Sequence, residues 1–308
     1  MLSHDRLRRS PRALRTFTGL DQAEFEKLLV PCVQAWNMHV SMPQHPEHIR
    51  KRHVGDGRKA RLLTVEDKLL FILFYFKIYP RQEVIAFLFD MSQGRTNEWI
   101  HTLSTVLQLA LGDPRGVVRG LPERHPQNLE QVLTLCVSVD VIIDGTERRT
   151  RRPTEAERQK LCYSEKKMHT VKSNLIVDVE ERLVRYLSST YAGSVHDKRI
   201  CDQKTYTFPP GCVLFQDTSF QGYEPDDSRT YQPKKKPQGQ ELTPADKAEN
   251  TMISRMRIVV EHVLAGIKRC HIVQDVFRNT KAHFDDLVME IACRRHNLRA
   301  ISRYVSEE

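Results

Sequence analysis

The apolar pattern of the chain changes character partway along, and this change constrains the fold more than any other feature. Up to residue 110 the apolar side chains recur at helical spacing, as in Asp21–Trp36 and Leu69–Ile78. A segment rich in glycine and proline follows, and beyond it short apolar runs bounded by turn residues are typical of strands. The sequence therefore predicts an all-α domain over residues 1–110, a linker over 111–130 and an α/β domain with a mixed sheet over 131–308.

Within the α/β part, the apolar runs and their punctuation predict the individual elements. The predicted strands are Leu133–Ile143, the hairpin pair Lys167–Val177 and Arg182–Ser189, and Val213–Phe215. The polar, lysine-rich stretch Gln221–Gln240 is a predicted loop. A long helix begins after it, with Thr243 as the N-cap and Pro244 in the first turn.

Two short helices joined by a tight polar turn form a helix-turn-helix candidate in the first part of the chain. They cover Gln82–Phe89 and Gln93–Leu107, with Ser92 as the N-cap of the second helix. This arrangement predicts that four side chains near the start of the second helix face outward, where base edges are read: Gln93, Arg95, Thr96 and Asn97. An ordinary helical hairpin fits the spacing equally well, and the basic run Arg50–Arg61 favours DNA contact.

The charge balance favours a polyanionic partner, because the 308 residues carry a formal net charge of +9. The cations are clustered in runs such as Arg148–Arg152 and Lys234–Lys236, which favours DNA over a membrane surface. For each run a solvated surface face is the alternative. The longest apolar stretch, Leu69–Phe76, is too short to span a bilayer. Seven scattered cysteines without CxxC spacing indicate reduced thiols in a cytoplasm.

Three acidic residues lie where a metal-dependent nuclease needs them. Asp144 follows the first predicted strand, Asp217 follows the strand Val213–Phe215, and Glu261 lies within the long C-terminal helix. Carboxylate oxygens are hard ligands that suit Mg²⁺ or Mn²⁺, and two such ions drive phosphodiester chemistry. The sequence therefore predicts a metal site that is built by two strand ends and one helix.

Two of these positions have competitors. Asp140 and Asp144 project to the same face of a strand about 13 Å apart, so both cannot bind one metal cluster, and Asp140 is expected to be structural. Asp197 opens a short predicted helix and competes with Asp217 for the second position. Glu261 falls on one stripe of its helix with two cations, Arg257 and Lys268. Surface salt bridges are the usual interpretation of such a stripe. Here, however, the stripe lies beside the face of the helix that is expected to pack in the core.

These residues occur in strings that resemble the DDE transposases of bacterial insertion sequences, in the branch related to eukaryotic Harbinger elements. The matching strings are Asp144-Gly-Thr-Glu147, Tyr163-Ser-Glu-Lys-Lys167, Gly193-Ser-Val-His-Asp197, Asp217-Thr-Ser-Phe-Gln-Gly-Tyr223, Lys235-Lys-Pro-Gln-Gly-Gln-Glu-Leu-Thr243 and His296-Asn-Leu-Arg299. The family's signature around the glutamate is represented by Arg257, Glu261 and Lys268. Ser254 stands where that signature has tyrosine. The region from Gly57 to Leu107 is similar to the family's helix-turn-helix.

The resemblance implies an RNase H-like fold in which Asp144, Asp217 and Glu261 bind two divalent ions, Mg²⁺ or Mn²⁺. The spacing to Glu261 fits Asp217 better than Asp197, which stays the alternative second ligand. The residues implied or expected to contact DNA are Arg257, Lys268, Arg148, Arg149, Arg151, Arg152, Lys234, Lys235 and Lys236, besides those of the helix-turn-helix.

The implied activity is that of a DNA endonuclease and transposase. Such a protein binds the terminal inverted repeats of a mobile element, cleaves them and transfers the strand to double-stranded target DNA. A homodimer or larger assembly is expected because two ends are handled together, and the place of action is the bacterial cytoplasm at the nucleoid. The rival hypotheses are a domesticated, catalytically silent DNA-binding protein on the same fold and a nuclease without strand transfer.

Overall fold

The computed structural model describes residues 1–41, 60–112, 122–236, 239 and 241–307, with side chains up to Ser302. Contacts between Cα atoms divide the chain into two compact units. One consists of Met1–Arg119 with Arg269–Ile272, and the other of Gly120–Lys268 with Val273–Glu307. Most of the basic run Arg50–Arg61 and the centre of the predicted linker lie outside the described residues.

The first unit is helical where it is described. Its helices are α1 (His4–Leu7), α2 (Pro11–Thr18), α3 (Gln22–Ser41), α4 (Val65–Ile78), α5 (Gln82–Leu88) and α6 (Gln93–Leu111). Helix α4 is apolar on all sides, and every residue from Lys68 to Phe76 is buried. A helix with this pattern belongs in the centre of a bundle, and α4 contacts α2, α3 and α6.

Local capping chemistry fixes where the helices of this unit begin. Thr64 Oγ1 accepts a hydrogen bond from Asp67 N at 3.1 Å, and Ser92 Oγ accepts one from Arg95 N at 3.3 Å. Both contacts satisfy backbone donors that have no partner within the helix. The predicted N-cap of α6 at Ser92 is therefore confirmed, and α4 begins in the same way at Thr64. No helix in the described parts of the chain has the length and apolar character needed to cross a bilayer.

A buried cation lies at the centre of the first unit. Lys68 is 5% exposed, and its Nζ donates to the carbonyl oxygens of Leu62, Leu63 and Thr64 at 2.8, 3.0 and 3.2 Å. The same ammonium lies 4.8 Å from the ring centroid of Trp36. Burial lowers the pKa of Lys68. Because charge-assisted bonds and cation–π contact replace water around it, this ammonium ties the start of α4 to the core.

We expect Lys68→Met to lower the free energy of unfolding by about 3 kcal/mol, because the buried carbonyl oxygen of Leu62 and two partly buried ones lose this donor. Urea unfolding is followed by fluorescence, since the two tryptophans of the chain, Trp36 and Trp99, both lie in the first unit. Lys27→Met, at an exposed position of α3, is the matched control. Equal stability of the two variants would contradict a structural role for the Lys68 ammonium.

The second unit contains a mixed β-sheet. Its strands are β1 (Asp140–Arg149), β2 (Thr170–Asp178), β3 (Val184–Leu187), β4 (Tyr191–Ala192), β5 (Cys212–Gln216) and β6 (Ser228–Tyr231). The order is β3-β2-β1-β5-β6, and β4 pairs with β2. Strands β1, β2 and β3 are antiparallel neighbours, whereas β5 and β6 run parallel to β1. The predicted hairpin, here β2 and β3, is confirmed.

Helices accompany this sheet. They are α7 (Leu129–Thr134), α8 (Ala156–Cys162), α9 (Asp197–Asp202), α10 (Pro244–Lys268) and α12 (Phe284–Glu307), and α11 (His271–Gln274) lies between the last two along the chain. Helix α10 contacts β1 and β5, and α12 contacts β3. Thr243 Oγ1 accepts from Asp246 N at 3.1 Å, which confirms the predicted N-cap of α10.

Two strand predictions were wrong. The run Leu133–Ile143 is not one strand, because Leu129–Thr134 is helical and β1 begins only at Asp140. Strand β1 then continues through Asp144 to Arg149, since β2 pairs with it along that whole length. Asp144 therefore lies within a strand and not at its end. The predicted loop Gln221–Gln240 contains β6, a short polar edge strand that local hydrophobicity does not reveal.

Candidate active site

The parallel pairing of β1 with β5 brings two of the predicted acids together. In this ladder Ile143 is opposite Gln216, so one further step along both strands sets Asp144 beside Asp217. Adjacent strands lie about 4.8 Å apart. Two aspartates that are far apart in sequence therefore become neighbours at the point where β5 ends.

Strand alternation places both side chains on one face of the sheet. Val141, Ile143 and Leu214 lie in the buried cluster of the opposite face, with α7. Because neighbouring residues of a strand point to opposite sides, Asp144 points away from that cluster. Asp217 lies on the same side as α10, and its Oδ2 is 3.2 Å from Arg257 Nη2 on that helix.

Asp144 is an acid in an unfavourable environment. Burial raises its pKa from 3.8 to about 6, and the negative charges of Asp217 and Asp197 add to the increase. The N–H of Gly145, which donates to Asp144 Oδ1 at 2.7 Å, and the charge of Arg257 act in the opposite direction. A partly buried carboxylate beside other carboxylates favours any cation that can neutralise it.

Glu261 is exposed, and within the described part of the chain it makes no hydrogen bond or ion pair. It follows Arg257 by four residues on α10, which is one helical turn and a rise of about 6 Å. The guanidinium of Arg257, and not the carboxylate of Glu261, lies against Asp217. The assignment of Glu261 as a metal ligand stays a prediction.

Asp197 lies on the other side of the sheet from Asp144. A Cβ built on Gly145 would meet the Asp197 carboxylate at 2.9 Å. Residue 145 points opposite to residue 144, towards the face that α9 covers. Lys172 Nζ lies 3.2 Å from Asp197 Oδ1, with both side chains less than one-fifth exposed. The two candidates for the second metal-ligand position therefore pair with different cations. Asp217 pairs with Arg257, and Asp197 pairs with Lys172.

Sequence reasoning missed two residues that hold this arrangement. Lys172 is opposite Glu147 in the β1–β2 ladder, and only that register shows that it reaches Asp197. Gly145 lies inside a strand, where a glycine often marks a close approach of another group. That signal was available in the Asp-Gly pair, but the strand was predicted to end there. The close contact with Asp197 explains why this position favours glycine.

The donor set at Asp144 fits a divalent metal. The acids there are carboxylates, the ligands that Mg²⁺ and Mn²⁺ prefer, and the charge of Asp144 is poorly compensated. Elsewhere among the described residues, ligand atoms of Cys136, Asp178 and Glu181 lie within 4.8 Å of one another. In that group Arg185 already pairs with both acids, so the arginine supplies the positive charge that a metal would bring.

The start of α6 presents three of the four predicted side chains. Gln93, Arg95 and Asn97 are exposed, whereas Thr96 is fully buried, and its Oγ1 donates to the Ser92 carbonyl at 3.0 Å. The prediction that Thr96 faces outward was therefore wrong, because position 96 lies on the core stripe that continues to Ile100 and Leu103.

The basic run after β1 divides between the core and the surface. Arg148 is 2% exposed, and its guanidinium donates to Asp285 O and Thr190 Oγ1 at 2.9 and 3.0 Å. A side chain in this position cannot reach a phosphate, so Arg148 is removed from the DNA-binding set. Arg149, Arg151 and Arg152 are exposed. Strand alternation explains the contrast between Arg148 and Arg149.

The three lysines after β6 differ in their partners. Lys234 Nζ pairs with Asp246 at 2.7 Å and Glu249 at 2.8 Å, and these contacts raise its pKa. Lys236 pairs with Glu241 at 2.5 Å. Lys235 is exposed and has no ion pair with any described residue. Lys268, at the end of α10, is partly buried and likewise has no ion pair within the described ranges.

Two protein-family models match the chain. The family model of the DDE superfamily endonuclease matches residues 143–297, and that of the helix-turn-helix of DDE superfamily endonuclease matches residues 60–113. The chain is similar to a probable transposase for insertion sequence element IS702 from Microchaete diplosiphon, at 24% identity over 266 residues, which covers 86% of this chain and 90% of that protein. No solved structure matches the chain.

These matches decide two predictions. The helix-turn-helix match includes α5 and α6, so the helix-turn-helix is confirmed over an ordinary hairpin. The mixed sheet lies within the endonuclease match except for the first three residues of β1, which confirms the RNase H-like fold class and the family resemblance.

Proposed function

Because the chain belongs to the DDE superfamily endonucleases and carries their helix-turn-helix ahead of the catalytic region, we propose that it is the transposase of an insertion sequence. It binds the terminal inverted repeats of the element, cuts the DNA there and joins the freed end to a target. The observation that carries the proposal is the pairing of β1 with β5, which sets Asp144 beside Asp217. The similarity to a probable transposase over most of both chains supports the same function.

DDE endonucleases use divalent metal, and we propose Mg²⁺ or Mn²⁺ bound by Asp144, Asp217 and Glu261. Two bound ions supply an activated nucleophile and stabilise the attacking and leaving oxygens of an in-line displacement. Asp144, held rigidly in the central strand, anchors the site. Glu261 lies one turn from Arg257 on α10 and reaches the cluster by changing the direction of its side chain. Asp197 supports β1 from the other face.

Arg257 has two roles in this proposal. Its guanidinium lies 3.2 Å from Asp217 and compensates that charge. Its planar donor fork also suits a phosphate beside the scissile bond, which it would bind where divalent ions compensated Asp217. Lys268, farther along α10, contacts the neighbouring backbone.

Three exposed residues of the helix-turn-helix, Gln93, Arg95 and Asn97, supply the contacts that select the terminal repeat. Asn97 Oδ1 accepts from Gln82 Nε2 at 2.9 Å, and Arg95 pairs with Glu98 at 2.6 Å, so both side chains are oriented before DNA arrives. Phosphate contacts come from exposed cations, namely Arg149, Arg151, Arg152 and Lys235. The enzyme acts on bacterial DNA at the nucleoid as at least a dimer, since both ends of the element must be cut together.

The proposal is tested with a labelled duplex that carries the element's terminal repeat, Mn²⁺ and a supercoiled target plasmid. We expect cleavage at the repeat boundary and covalent joining of the labelled strand to the plasmid. A duplex with the same composition in scrambled order is the control and should compete weakly. Absence of cleavage under these conditions would support the catalytically silent DNA-binding protein, and cleavage of both duplexes without joining would support a general nuclease.

A further inference from the structure

A second basic site lies in the same unit as the acids. The segment after β1 and the segment before α12 enclose a cavity of about 680 Å³. Phe277 N donates to Arg149 O at 2.8 Å, and Phe277 forms an isolated bridge with Thr150 just past the end of β1. Five lining cations come from both walls: Arg151, Arg152, Arg158, Arg278 and Lys281. We call this cavity the basic groove.

Several of these charges have no acid to neutralise them. Arg151 and Lys281 form no ion pair with any residue that the structure describes. The guanidinium of Arg152 donates through Nε and Nη2 to Gln159 Oε1 at 3.0 and 2.9 Å. Gln159 is a neutral amide, so it orients this guanidinium without cancelling its charge. The positive charges of Arg151, Arg152 and Lys281 are therefore available to bind an anion.

Three acids line the groove: Asp285 and Asp286 lie beside cations outside it, and the third is the exposed Glu155. Asp286 Oδ1 lies 3.0 Å from Arg124 Nη2 and accepts from Thr190 N at 2.8 Å. Asp285 lies near the buried Arg148, whose Nη1 donates to its carbonyl oxygen. The five lining cations therefore outnumber Glu155, the one lining acid that does not lie beside a cation outside the groove.

The groove lies at a defined distance from the acids. Thr150, at its edge, is the first residue after β1 and follows Asp144 by six residues, which is about 20 Å at ~3.3 Å per residue. A DNA strand rises about 3.4 Å per nucleotide, so this distance is about six nucleotides. A DNA strand that runs from the acids to the groove therefore reaches the groove roughly half a helical turn from the scissile bond.

We propose that the basic groove binds the phosphodiester backbone of the DNA flanking the cut, about six nucleotides from the scissile phosphate. This inference rests on the proposed function for the identity of the DNA. The groove has a positioning role, because it fixes the direction in which the duplex enters the site. This direction determines which phosphate lies beside the acids.

The first test measures the affinity of the full-length protein for an arbitrary duplex at increasing salt. Each lost phosphate contact makes the slope of log K against log salt less negative by about 0.9, so Arg151→Ala with Lys281→Ala should reduce the slope by about 1.8. The control is Lys160→Ala with Lys247→Ala, which removes two exposed charges outside the groove. An unchanged slope in the groove variant, or an equal loss in the control, would overturn the inference.

The second test places one neutral methylphosphonate at successive positions of the terminal-repeat duplex. The wild type should cleave more slowly when the substitution lies about six nucleotides from the cut, and the groove variant should not respond to it. If the wild type does not cleave the repeat at all, the proposed function fails while the salt slope still tests the groove. If the wild type cleaves and both proteins respond equally, the groove inference fails and the proposed function stands.

Discussion

Replacing Asp144 with asparagine is expected to abolish DNA cleavage and, at the same time, to stabilise the metal-free protein. The amide keeps the shape of the side chain but loses the charge that binds a divalent ion. Metal ions contribute several kcal/mol of transition-state stabilisation, so we expect the cleavage rate to fall at least about a thousandfold. The rate is measured on the terminal-repeat duplex with Mn²⁺ at saturating protein.

The stabilisation follows from the pKa of Asp144. Burial raises this pKa from 3.8 to about 6, so between these pH values the folded protein binds more protons than the unfolded chain. Stability of the metal-free wild type therefore falls as the pH rises through this window. Above it the ionised carboxylate costs up to about 3 kcal/mol, which Asp144→Asn removes. Urea unfolding in EDTA should show the variant as more stable at pH above 6 and the difference vanishing towards pH 4.

Asp140→Asn is the matched control, because Asp140 opens the same strand about 13 Å away and loses the same charge. This variant should keep its cleavage rate and show no comparable gain in stability. If Asp144→Asn cleaved DNA at the wild-type rate, Asp144 would not be a metal ligand. If instead it lost both activity and stability, the carboxylate would have a structural role that the burial argument does not include.

Features that local chemistry determines could be predicted from the sequence. The caps at Thr64, Ser92 and Thr243 each need only a hydroxyl and a backbone N–H three residues on, and all three are present. The hairpin of β2 and β3 depends on one turn and two apolar runs. The helix-turn-helix depends on helix lengths and a polar turn. In each case the partners lie within a few residues of one another.

Features that depend on distant pairing could not be predicted in the same way. Arg148 and Arg149 are indistinguishable as members of a charge run, and only the position of the sheet between two helical layers buries one and exposes the other. The strand β1 runs past Asp144 because β2 accompanies it, although its own sequence after that point is polar. The polar β6 forms because β5 offers it an edge to pair with.

The choice between Asp217 and Asp197 depends on the same long-range geometry. Both are near Asp144 in space, and the spacing in sequence favours Asp217 only by analogy with the family. Strand alternation separates them, because Asp217 shares the α10 side with Asp144 and Arg257 whereas Asp197 packs on Gly145 from the opposite side. A metal that binds Asp144 on one face of a sheet does not reach a carboxylate behind it.

Asp217→Asn is therefore expected to lose cleavage to the same extent as Asp144→Asn, about a thousandfold or more. Its affinity for Mn²⁺, measured by electron paramagnetic resonance without DNA, should also weaken. Asp197→Asn should keep both the Mn²⁺ affinity and a cleavage rate within about tenfold of the wild type. If Asp217→Asn cleaved DNA at the wild-type rate and Asp197→Asn lost Mn²⁺ binding, then Asp197 and not Asp217 would be the second metal ligand.

The cost of Asp197→Asn should appear in stability, because the variant leaves the half-buried ammonium of Lys172 without its counter-ion. Removing one partner of a buried ion pair can cost about 3–5 kcal/mol, and less is expected here because both side chains keep some exposure. Adding Lys172→Met should recover part of that loss, since the unpaired charge is then gone. Gly145→Ala should resemble Asp197→Asn, because its Cβ at 2.9 Å displaces the same carboxylate. If these three changes altered Mn²⁺ affinity more than stability, Asp197 would bind the metal and would not merely support β1.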